Sequence, residues 1–515
     1  MENRPERGNL KIRKPSPEIR TTFIGTVLFA LAVHGMGLFN KLSFHDDILA
    51  LFGTGTTIPS GRWMLHVAGW LETLIFGDGH FSLPVMNGLF SIGCVAVSAC
   101  MLVNLLKIRG KAQCLGLGCL MVAFPTVTGL FGYMFTMPYY MLAMTMMTAC
   151  ACIICSARRR WMRIPAVILG GCSVGIYQAF LPMLLSILLL YDLSVLAEGK
   201  EPAGAFLKRA GVQLLCVLGT VAFYFAANRF FLAKFGMEMN GYMGNDRIGS
   251  TSAAVYLERA GRAYREFFLP ARNVYYDMYP MHVHYMYLLM IAADVLLAVR
   301  LICVTGKRSR GKAALLALLF ALFPLGCNFI FVMSETVHGL MTYGQVAQFA
   351  LFVWLTDRLE LRPPRADRLL ALAVSLVLGL TGIMYARFAN QCYLKVTFQQ
   401  QQAVSYYTTL VSRIKSTEGY RDDLPVAFLG GEHIADRTLA NIDELDFIHL
   451  DSYGETSESY INSYSWTVFM ERWCGYGPEY HDGSGLRDLP EVRDMPHYPD
   501  DGSIRIVQDV IVVNF

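Results

Sequence analysis

Residues 21–39 read TTFIGTVLFALAVHGMGLF and contain no Asp, Glu, Lys or Arg. An α-helix rises about 1.5 Å per residue, so this stretch is close to the length that crosses the hydrocarbon core of a bilayer. Basic residues from Arg4 to Arg20 lead directly into it, without the short apolar region and small-residue cleavage site of a signal peptide. We therefore expect residues 21–39 to be a permanent membrane anchor.

Similar apolar stretches recur along the first three quarters of the chain. They predict eleven transmembrane helices, at 21–39, 82–106, 113–131, 138–156, 164–177, 181–197, 211–233, 285–303, 313–333, 344–357 and 369–387. The stretches at 164–177 and 344–357 are shorter than the others. The whole chain is 54% hydrophobic and only 16% charged, which argues against an ordinary soluble enzyme and against a disordered protein.

The basic residues predict the orientation of the chain. With the N-terminus inside, 25 of the 44 Lys and Arg residues lie in the six inside segments 1–20, 107–111, 158–163, 200–209, 300–312 and 358–368. Such a bias marks the cytoplasmic side. The expected organisation is a cytoplasmic N-terminus at 1–20, a transmembrane body at 21–387 with outer loops at 40–81 and 234–284, and an extracytoplasmic C-terminal domain at 388–515. The protein is thus expected in the cell membrane.

The C-terminal part differs in charge from the body. Residues 1–387 carry 35 Lys and Arg against 20 Asp and Glu, whereas residues 388–515 carry 9 against 20. This acidic part shows a helical pattern to about Lys415, a strand pattern at 426–429 and β-branched residues at 504–515. The predicted fold class is a polytopic all-α membrane protein with a small C-terminal extracytoplasmic α/β domain. Neither part has the basic, aromatic-interleaved pattern of a nucleic-acid-binding protein.

The residues that follow the first predicted span can carry chemistry. The motif Phe44-His45-Asp46-Asp47 places two carboxylates beside a histidine near the bilayer, where they can act as a general base with its partner or hold a divalent cation. A solvated acidic loop is the alternative. Arg62, in Ser60-Gly61-Arg62-Trp63, can donate two hydrogen bonds to a phosphate or simply contact lipid headgroups. The apolar stretch 63–76 after it predicts a helix lying in the membrane interface.

The order of these motifs resembles that of the membrane glucosyltransferases of the O-antigen-conversion type, glucosyl transferase II-like enzymes of the GT-C superfamily. The matching features are the Asp-Asp pair, Gly61-Arg62-Trp63, Gly175–Phe180 (GIYQAF), Met495–Pro499 (MPHYP), Asp501–Ile504 (DGSI) and Val510–Val513 (VIVV). The resemblance implies a GT-C-like body and transfer of glucose from a polyprenyl-phosphate carrier to a surface glycan, by a single inverting displacement. It also implies that Asp46 or Asp47 is the catalytic carboxylate and that Arg62 is the family's arginine.

We therefore predict the following site residues. Asp46 and Asp47 are the catalytic candidates, and the donor phosphate and sugar are bound by Arg62, His45, Tyr177, Gln178, Arg259 and Arg262. From the residues alone, a run such as Arg259 and Arg262 is more often a solvated helix face, and Tyr177 and Gln178 fit interface anchors. Glu335 and His338 are candidates for the acceptor cleft. No cofactor is predicted, and whether Asp46 and Asp47 hold a divalent cation is left open.

The predicted function is that of an integral membrane glycosyltransferase. Its expected partners are a polyprenyl-phosphate-glucose donor, a surface glycan such as O-antigen, the lipid bilayer, and a donor synthase and donor flippase. The alternative is a transporter or flippase of lipid-linked saccharides, in which the intramembrane residues Asp294 and Arg229 would do the work. Transporters often contain repeated halves, which this sequence lacks. A third class, a receptor or scaffold, would not need eleven spans.

Overall fold

The computed structural model describes residues 15–157, 159–199, 201–241, 252–269, 281–359, 364–430, 442–445, 461 and 464–515. Within these residues the α-helices, in chain order, are α1 (Pro17–Phe39), α2 (Asp46–Leu49), α3 (Trp63–Phe76), α4 (Pro84–Leu106), α5 (Lys111–Ala123), α6 (Pro125–Phe131), α7 (Met137–Ser156), α8 (Arg163–Ile176), α9 (Leu181–Glu198), α10 (Ala203–Phe235), α11 (Ala253–Phe268), α12 (Tyr285–Gly306), α13 (Arg310–Cys327), α14 (Ile330–Met333), α15 (Ala347–Asp357), α16 (Pro364–Lys415), α17 (Trp466–Cys474) and α18 (Pro490–Arg493).

Local sequence explains where the long helices begin and break. Proline stands in the first turn of α1, α4, α7 and α9, where its missing N–H costs no helical hydrogen bond. Phe124 precedes Pro125 and takes an extended backbone, as a residue before proline prefers. Helices α5 and α6 consequently differ in direction by 42°.

Eight helices in the described residues are long and apolar enough to cross a membrane: α1, α4, α7, α9, α10, α12, α13 and α16. The bent pair α5 and α6 makes nine if it counts as one span. Leucines such as Leu28, Leu215 and Leu296 are more than 60% exposed on these helices, as lipid-facing residues are. The protein is therefore a membrane protein built mainly of helices.

Each of the eleven predicted stretches coincides with helix, but 113–131 is the bent pair α5 and α6, 313–333 is divided between α13 and α14, and two other stretches are single short helices. Helix α8 has 14 residues and α15 has 11. The side chains of α15 are buried from Ala347 to Thr356, so this helix packs inside the bundle, as apolar helices of this length often do. The count of eleven spans stays a prediction. Most of the expected cytoplasmic segment 1–20 lies outside the described residues, as does much of loop 234–284.

The last long helix joins the membrane part to the C-terminal part. Helix α16 has 52 residues and continues without a break from the predicted span at 369–387 to Lys415, where the sequence pattern ends the helix. At about 1.5 Å per residue it is about 78 Å long. The predicted boundary at residue 388 therefore lies inside one continuous helix, whose first half is apolar and whose second half is polar.

A small sheet follows α16. Its strands are β1 (Val426–Leu429), β2 (Tyr480–His481), β3 (Ile504–Val507) and β4 (Val510–Asn514), in the order β2-β1-β4-β3. Strand β1 is parallel to β2 and β4, and β3 and β4 form an antiparallel hairpin. Its two turn residues, Gln508 and Asp509, both have positive φ, the geometry of the turn that matches strand twist. The small C-terminal sheet that the strand patterns at 426–429 and 504–515 predicted is confirmed.

The C-terminal part is held against both α16 and the first loop. The Tyr407 ring of α16 stacks on Trp466 of α17 at 6.3 Å between centroids. The Arg472 guanidinium of α17 lies 4.9 Å from the Phe52 ring centroid. These contacts place the segment before α17 close to α2.

Candidate active site

One end of the helix bundle holds a cavity. Helix α1 ends there, and α4, α7 and α9 begin there, so the short segments between spans surround it. Its empty volume is about 880 Å³. The lining residues are Asp46, Arg62, Leu130, Tyr133, Phe135, Thr136, Tyr140, Tyr177, Gln178, Ala179, Ile330, Met333, Ser334, His338, Leu340 and Met341.

Asp46 is the carboxylate of this cavity. Its side chain is 36% exposed, and the hydroxyl of Tyr464 donates a hydrogen bond of 2.6 Å to its Oδ1. His45 Nδ1 lies 3.1 Å from the same oxygen. Burial raises the pKa of Asp46, but the contacts with His45 and Tyr464 and the charge of Arg62 outweigh it, so the pKa lies below its ordinary value. Asp46 is therefore ionised at neutral pH.

Asp47 has a different environment. It is fully buried; Oδ1 accepts hydrogen bonds from the Ser82 hydroxyl and the Phe135 N–H, and Oδ2 accepts one of 2.6 Å from Lys41 Nζ. Lys41 also donates to Ser82. Asp47 does not line the cavity. The structure separates the two predicted catalytic residues: Asp46 faces the cavity and Asp47 fastens the loop after α1 to the segments before α4 and α7.

The backbone of His45 sets this separation. His45 has φ of 50° and ψ of −117°, in a region that side chains other than glycine rarely adopt. It immediately precedes α2, whose first two residues are Asp46 and Asp47. In a helical turn, adjacent side chains point about 100° apart. One carboxylate can thus enter the cavity while the other enters the protein.

Arg62 shares the cavity with Asp46 and lies beside two stacked tyrosines. The Tyr140 and Tyr177 rings are parallel within 7°, with centroids 4.0 Å apart. The Arg62 guanidinium carbon lies 5.8 Å from the Tyr140 centroid and 5.5 Å from the Tyr177 centroid. Cation–π attraction at these distances favours this position of the guanidinium. Tyr177 is 6% exposed, so it is a packed support for Arg62 rather than a surface anchor.

Gln178 holds the turn that carries Arg62. Its Nε2 donates to the Ser60 carbonyl at 2.9 Å and to the Tyr224 hydroxyl at 3.1 Å. Gly61 lies between Ser60 and Arg62 in the sequence, and its φ is +72°. A Cβ built on Gly61 would lie 2.5 Å from Tyr224 Oη and 2.8 Å from Gln178 Nε2. The glycine is required both by the left-handed backbone and by this close approach.

Two motifs that are distant in sequence meet here. Residues 60–63 (SGRW) contact the segment 175–180 (GIYQAF) through the Gln178 bond to Ser60. They also meet at Gly175, where a Cβ would lie 2.6 Å from the Trp63 ring. The Trp63 ring stacks on Phe231 of α10 at 5.3 Å. The two motifs together fix Arg62 against the cavity.

Arg259 and Arg262 are not brought into the cavity lining. Both lie on α11, as the sequence predicted, and Arg262 Nη1 donates to the Glu335 carbonyl at 3.5 Å. Its guanidinium carbon lies 5.2 Å from the Phe331 ring centroid. Arg262 thus packs on the segment whose other residues, including His338, line the cavity. Of the two acceptor-cleft candidates, His338 belongs to the lining and Glu335 does not.

The transporter candidates are not paired with each other. Asp294 of α12 is buried and accepts a hydrogen bond from Gln348 Nε2 of α15. Arg229 lies near the end of α10 with an exposed side chain. The intramembrane acid is thus bonded to an amide rather than to the arginine.

Sequence reasoning missed Tyr140, Tyr133, Thr136 and Tyr464 as site residues. The first three flank Pro138 at the start of α7, and aromatic residues at a helix end are a weak sign of function because membrane interfaces generally favour them. Tyr464 is 418 residues from Asp46 and carried no signal.

The donor set does not fit a shared metal ion. Both oxygens of Asp47 accept hydrogen bonds from protein groups, so Asp46 has no second carboxylate beside it in the cavity. Within the described ranges, no three His, Cys, Asp or Glu residues are placed to hold a metal.

The cavity combines an ionised carboxylate with a guanidinium at one end of a membrane bundle. A search of curated proteins and one of solved structures found no match. The model of the family described as Glucosyl transferase GtrII matches residues 35–354, which contain every cavity-lining residue. A match over more than half of the chain shows the family: this membrane protein belongs to the GtrII glucosyl transferases.

Proposed function

We propose that this glucosyltransferase takes glucose from a polyprenyl-phosphate carrier and transfers it to a cell-surface polysaccharide such as O-antigen. The observation that carries the proposal is that Asp46 and Arg62 line the same cavity at the ends of the spans. A lipid-linked sugar has its phosphate at the membrane interface. The reacting groups must therefore lie at that depth, where helices meet their connecting loops.

Asp46 is proposed as the general base. A carboxylate that accepts the proton of the acceptor hydroxyl must be ionised, and the lowered pKa of Asp46 meets this requirement. Asp46 is the only carboxylate among the cavity-lining residues that the structure describes. Retaining glycoside chemistry typically uses two carboxylates, so one base favours a single inverting displacement.

Arg62 is proposed to bind the donor phosphate. As the glycosidic bond breaks, the leaving polyprenyl phosphate gains negative charge, and a guanidinium fixed beside it binds this state more tightly than the intact donor. The Tyr140 and Tyr177 stack holds the guanidinium in place before the donor arrives. Tyr177, Gln178 and His45 are thus positioning residues for Arg62 and Asp46, and Arg259 and Arg262 would contribute only at the edge.

The orientation is part of the proposal. The distribution of basic residues favours a cytoplasmic N-terminus. Eleven GT-C-like spans in the body at 21–387 then put the cavity, the loops 40–81 and 234–284 and the domain at 388–515 outside. A donor synthase and a donor flippase on the inner side would supply the lipid-linked sugar. The C-terminal domain contributes the Tyr464 hydroxyl that bonds Asp46, and we propose that this domain receives the glycan acceptor.

The donor can be tested directly. Purified protein in proteoliposomes is given polyprenyl-phosphate-[¹⁴C]glucose or a nucleotide-linked [¹⁴C]glucose together with surface polysaccharide. We expect label in the polysaccharide only from the lipid-linked donor, with inversion at the anomeric carbon. Label from the nucleotide sugar would refute the donor. Movement of labelled lipid across the vesicle bilayer without transfer would instead support a flippase.

A further inference from the structure

A second cleft lies at the other end of the bundle. Helix α9 begins just after Gln178, which lines the cavity, and ends at Glu198, which lines the cleft. Its 18 residues span about 27 Å, so the two sites are separated by most of the thickness of the hydrocarbon core. The cleft is open and has an empty volume of about 1690 Å³.

The cleft carries more positive than negative side chains. Its four cations are Lys107, Arg109, Arg300 and Arg358, and its two acids are Glu198 and Asp357. Glu198 lies 3.3 Å from both Lys107 Nζ and an Arg358 guanidinium nitrogen. Its charge is therefore already shared between two cations.

Asp357 is also engaged. Its carboxylate accepts hydrogen bonds from the backbone N–H groups of Arg109 and Gly110, at 3.1 and 2.6 Å, just before α5 begins. Carboxylates are stabilised at this end of a helix. The side chains of Arg109 and Arg300 consequently form no ion pair with any residue that the structure describes. Within the described residues, neither guanidinium lies within ion-pair distance of a carboxylate, and the only acid outside the cleft on which the charge of Arg109 acts is the partly exposed Glu18.

Trp354 gives a second, independent observation. It lines the cleft and is 1% exposed, and its indole Nε1 has no hydrogen-bond acceptor within the described part of the chain. The Arg358 guanidinium carbon lies 5.3 Å from the Trp354 ring centroid. A buried N–H donor without an acceptor is costly and rare, and an oxygen-rich anion in the cleft would satisfy it once a small rotation of the indole brings the N–H to the cleft surface.

The apolar wall of the cleft indicates what kind of anion fits. Leu297, Leu301 and Val304 follow one another at helical spacing on the same face of α12 as Arg300. Val304 is 48% exposed. A soluble phosphate would make no favourable contact with this apolar strip, whereas an acyl chain running along it would place a headgroup phosphate among the cations.

We propose that this cleft binds the phosphate of an anionic phospholipid headgroup. The site is distinct from the cavity that contains Asp46, and the proposal does not depend on the donor or the acceptor of the transferase. Arg109 and Arg300 would contact the phosphate, and Trp354 would add its N–H.

The test is lipid binding to the full-length protein in detergent. The shift of the unfolding temperature with lipid concentration gives the affinity for phosphatidylglycerol, phosphatidylcholine with the same acyl chains, and inorganic phosphate. Each basic residue near an anionic lipid contributes about 1 kcal/mol, so Arg109→Gln/Arg300→Gln is expected to weaken phosphatidylglycerol binding roughly 10- to 30-fold. Neither arginine forms an ion pair with the part of the chain that the structure describes, so this variant is expected to fold.

The matched control is Lys307→Gln/Arg308→Gln, which removes two exposed cations at the same end of the bundle but outside the cleft. It is expected to keep the wild-type affinity. Trp354→Phe, which keeps an aromatic ring but lacks the N–H, is expected to weaken binding a few-fold. Equal binding of the two lipids, equal loss in the control variant or wild-type binding by the double variant would overturn the proposal. Competition by inorganic phosphate at the same concentration would assign the cleft to a soluble anion instead.

Discussion

Tyr464, in the C-terminal part of the chain, donates a 2.6 Å hydrogen bond to the carboxylate of Asp46, which follows the first span. The bond connects two segments separated by 418 residues. It stabilises the ionised form of the carboxylate and contributes to its lowered pKa. The C-terminal part therefore takes part in the electrostatics of the cavity.

Tyr464→Phe is predicted to change the pH dependence of transfer. Loss of the hydroxyl removes one bond that favours the charged carboxylate, so the pKa of Asp46 rises. Activity that requires ionised Asp46 is lost as the pH falls through that pKa, so the acidic limb of the kcat/KM profile moves to higher pH. Tyr480→Phe, at an exposed tyrosine of β2, is the control and should leave the limb in place. An unshifted limb in Tyr464→Phe would mean that Asp46 is not the titrating base.

Substitution of the two adjacent acids is predicted to have opposite consequences. Asp46→Asn should lower kcat by about 10²- to 10⁴-fold, the usual contribution of a general base, with little change in unfolding temperature. Asp47→Asn should lower the free energy of unfolding by about 2 kcal/mol, because it removes the charge that pairs with the partly exposed Lys41 and replaces one of two buried acceptor oxygens by an N–H donor.

Radiolabelled glucose transfer and thermal unfolding, measured on both variants, separate these effects. If Asp47→Asn kept its stability but lost transfer while Asp46→Asn remained active, the two assignments would have to be exchanged.

Arg62→Gln is predicted to lower kcat about 10²- to 10³-fold, since the guanidinium acts mainly on the charge that develops in the transition state. The change in KM should be small by comparison. Arg62→Lys should recover part of the rate, because it keeps the charge but not the flat group beside Tyr140 and Tyr177. Steady-state kinetics with the lipid-linked donor measure both parameters. Lys234→Gln, at an exposed cation at the end of α10, is the control for loss of charge. A large rise in KM with unchanged kcat would contradict this role, because it would mean that Arg62 binds the intact donor as tightly as the transition state.

Two glycines provide a matched test of the turn that carries Arg62. Gly61 and Gly77 flank α3 and both have positive φ, at +72° and +81°. A Cβ at Gly61 would collide with Tyr224 and Gln178, whereas nothing lies within 4 Å of one at Gly77. Both Ala variants should lose about 1 kcal/mol of stability from backbone strain. Only Gly61→Ala should also reduce transfer, by at least about tenfold, as it displaces Arg62. Equal activity of the two variants would show that the turn does not position the arginine.

The long helices and the small sheet could be predicted because hydrophobic runs and β-branched strands are local properties of a sequence. Asp46 and Arg62 could be found for a similar reason, since each stands in a short motif close to a span. The choice between Asp46 and Asp47 could not be made, because it depends on the backbone of His45 and on the partners Ser82 and Lys41. Tyr464 could not be found either, since its role arises only when the chain folds back on the first loop.

The length of helix α16 determines the direction in which the C-terminal part faces. Each residue added to an α-helix rotates everything beyond it by about 100°, and seven residues return it nearly to the same direction. The segment that bears Tyr464 is packed on this helix through Tyr407 and Trp466, so it would be turned away from Asp46 by a single inserted residue. Chimeras that exchange C-terminal parts between relatives should therefore preserve the length of α16 or change it in steps of seven residues.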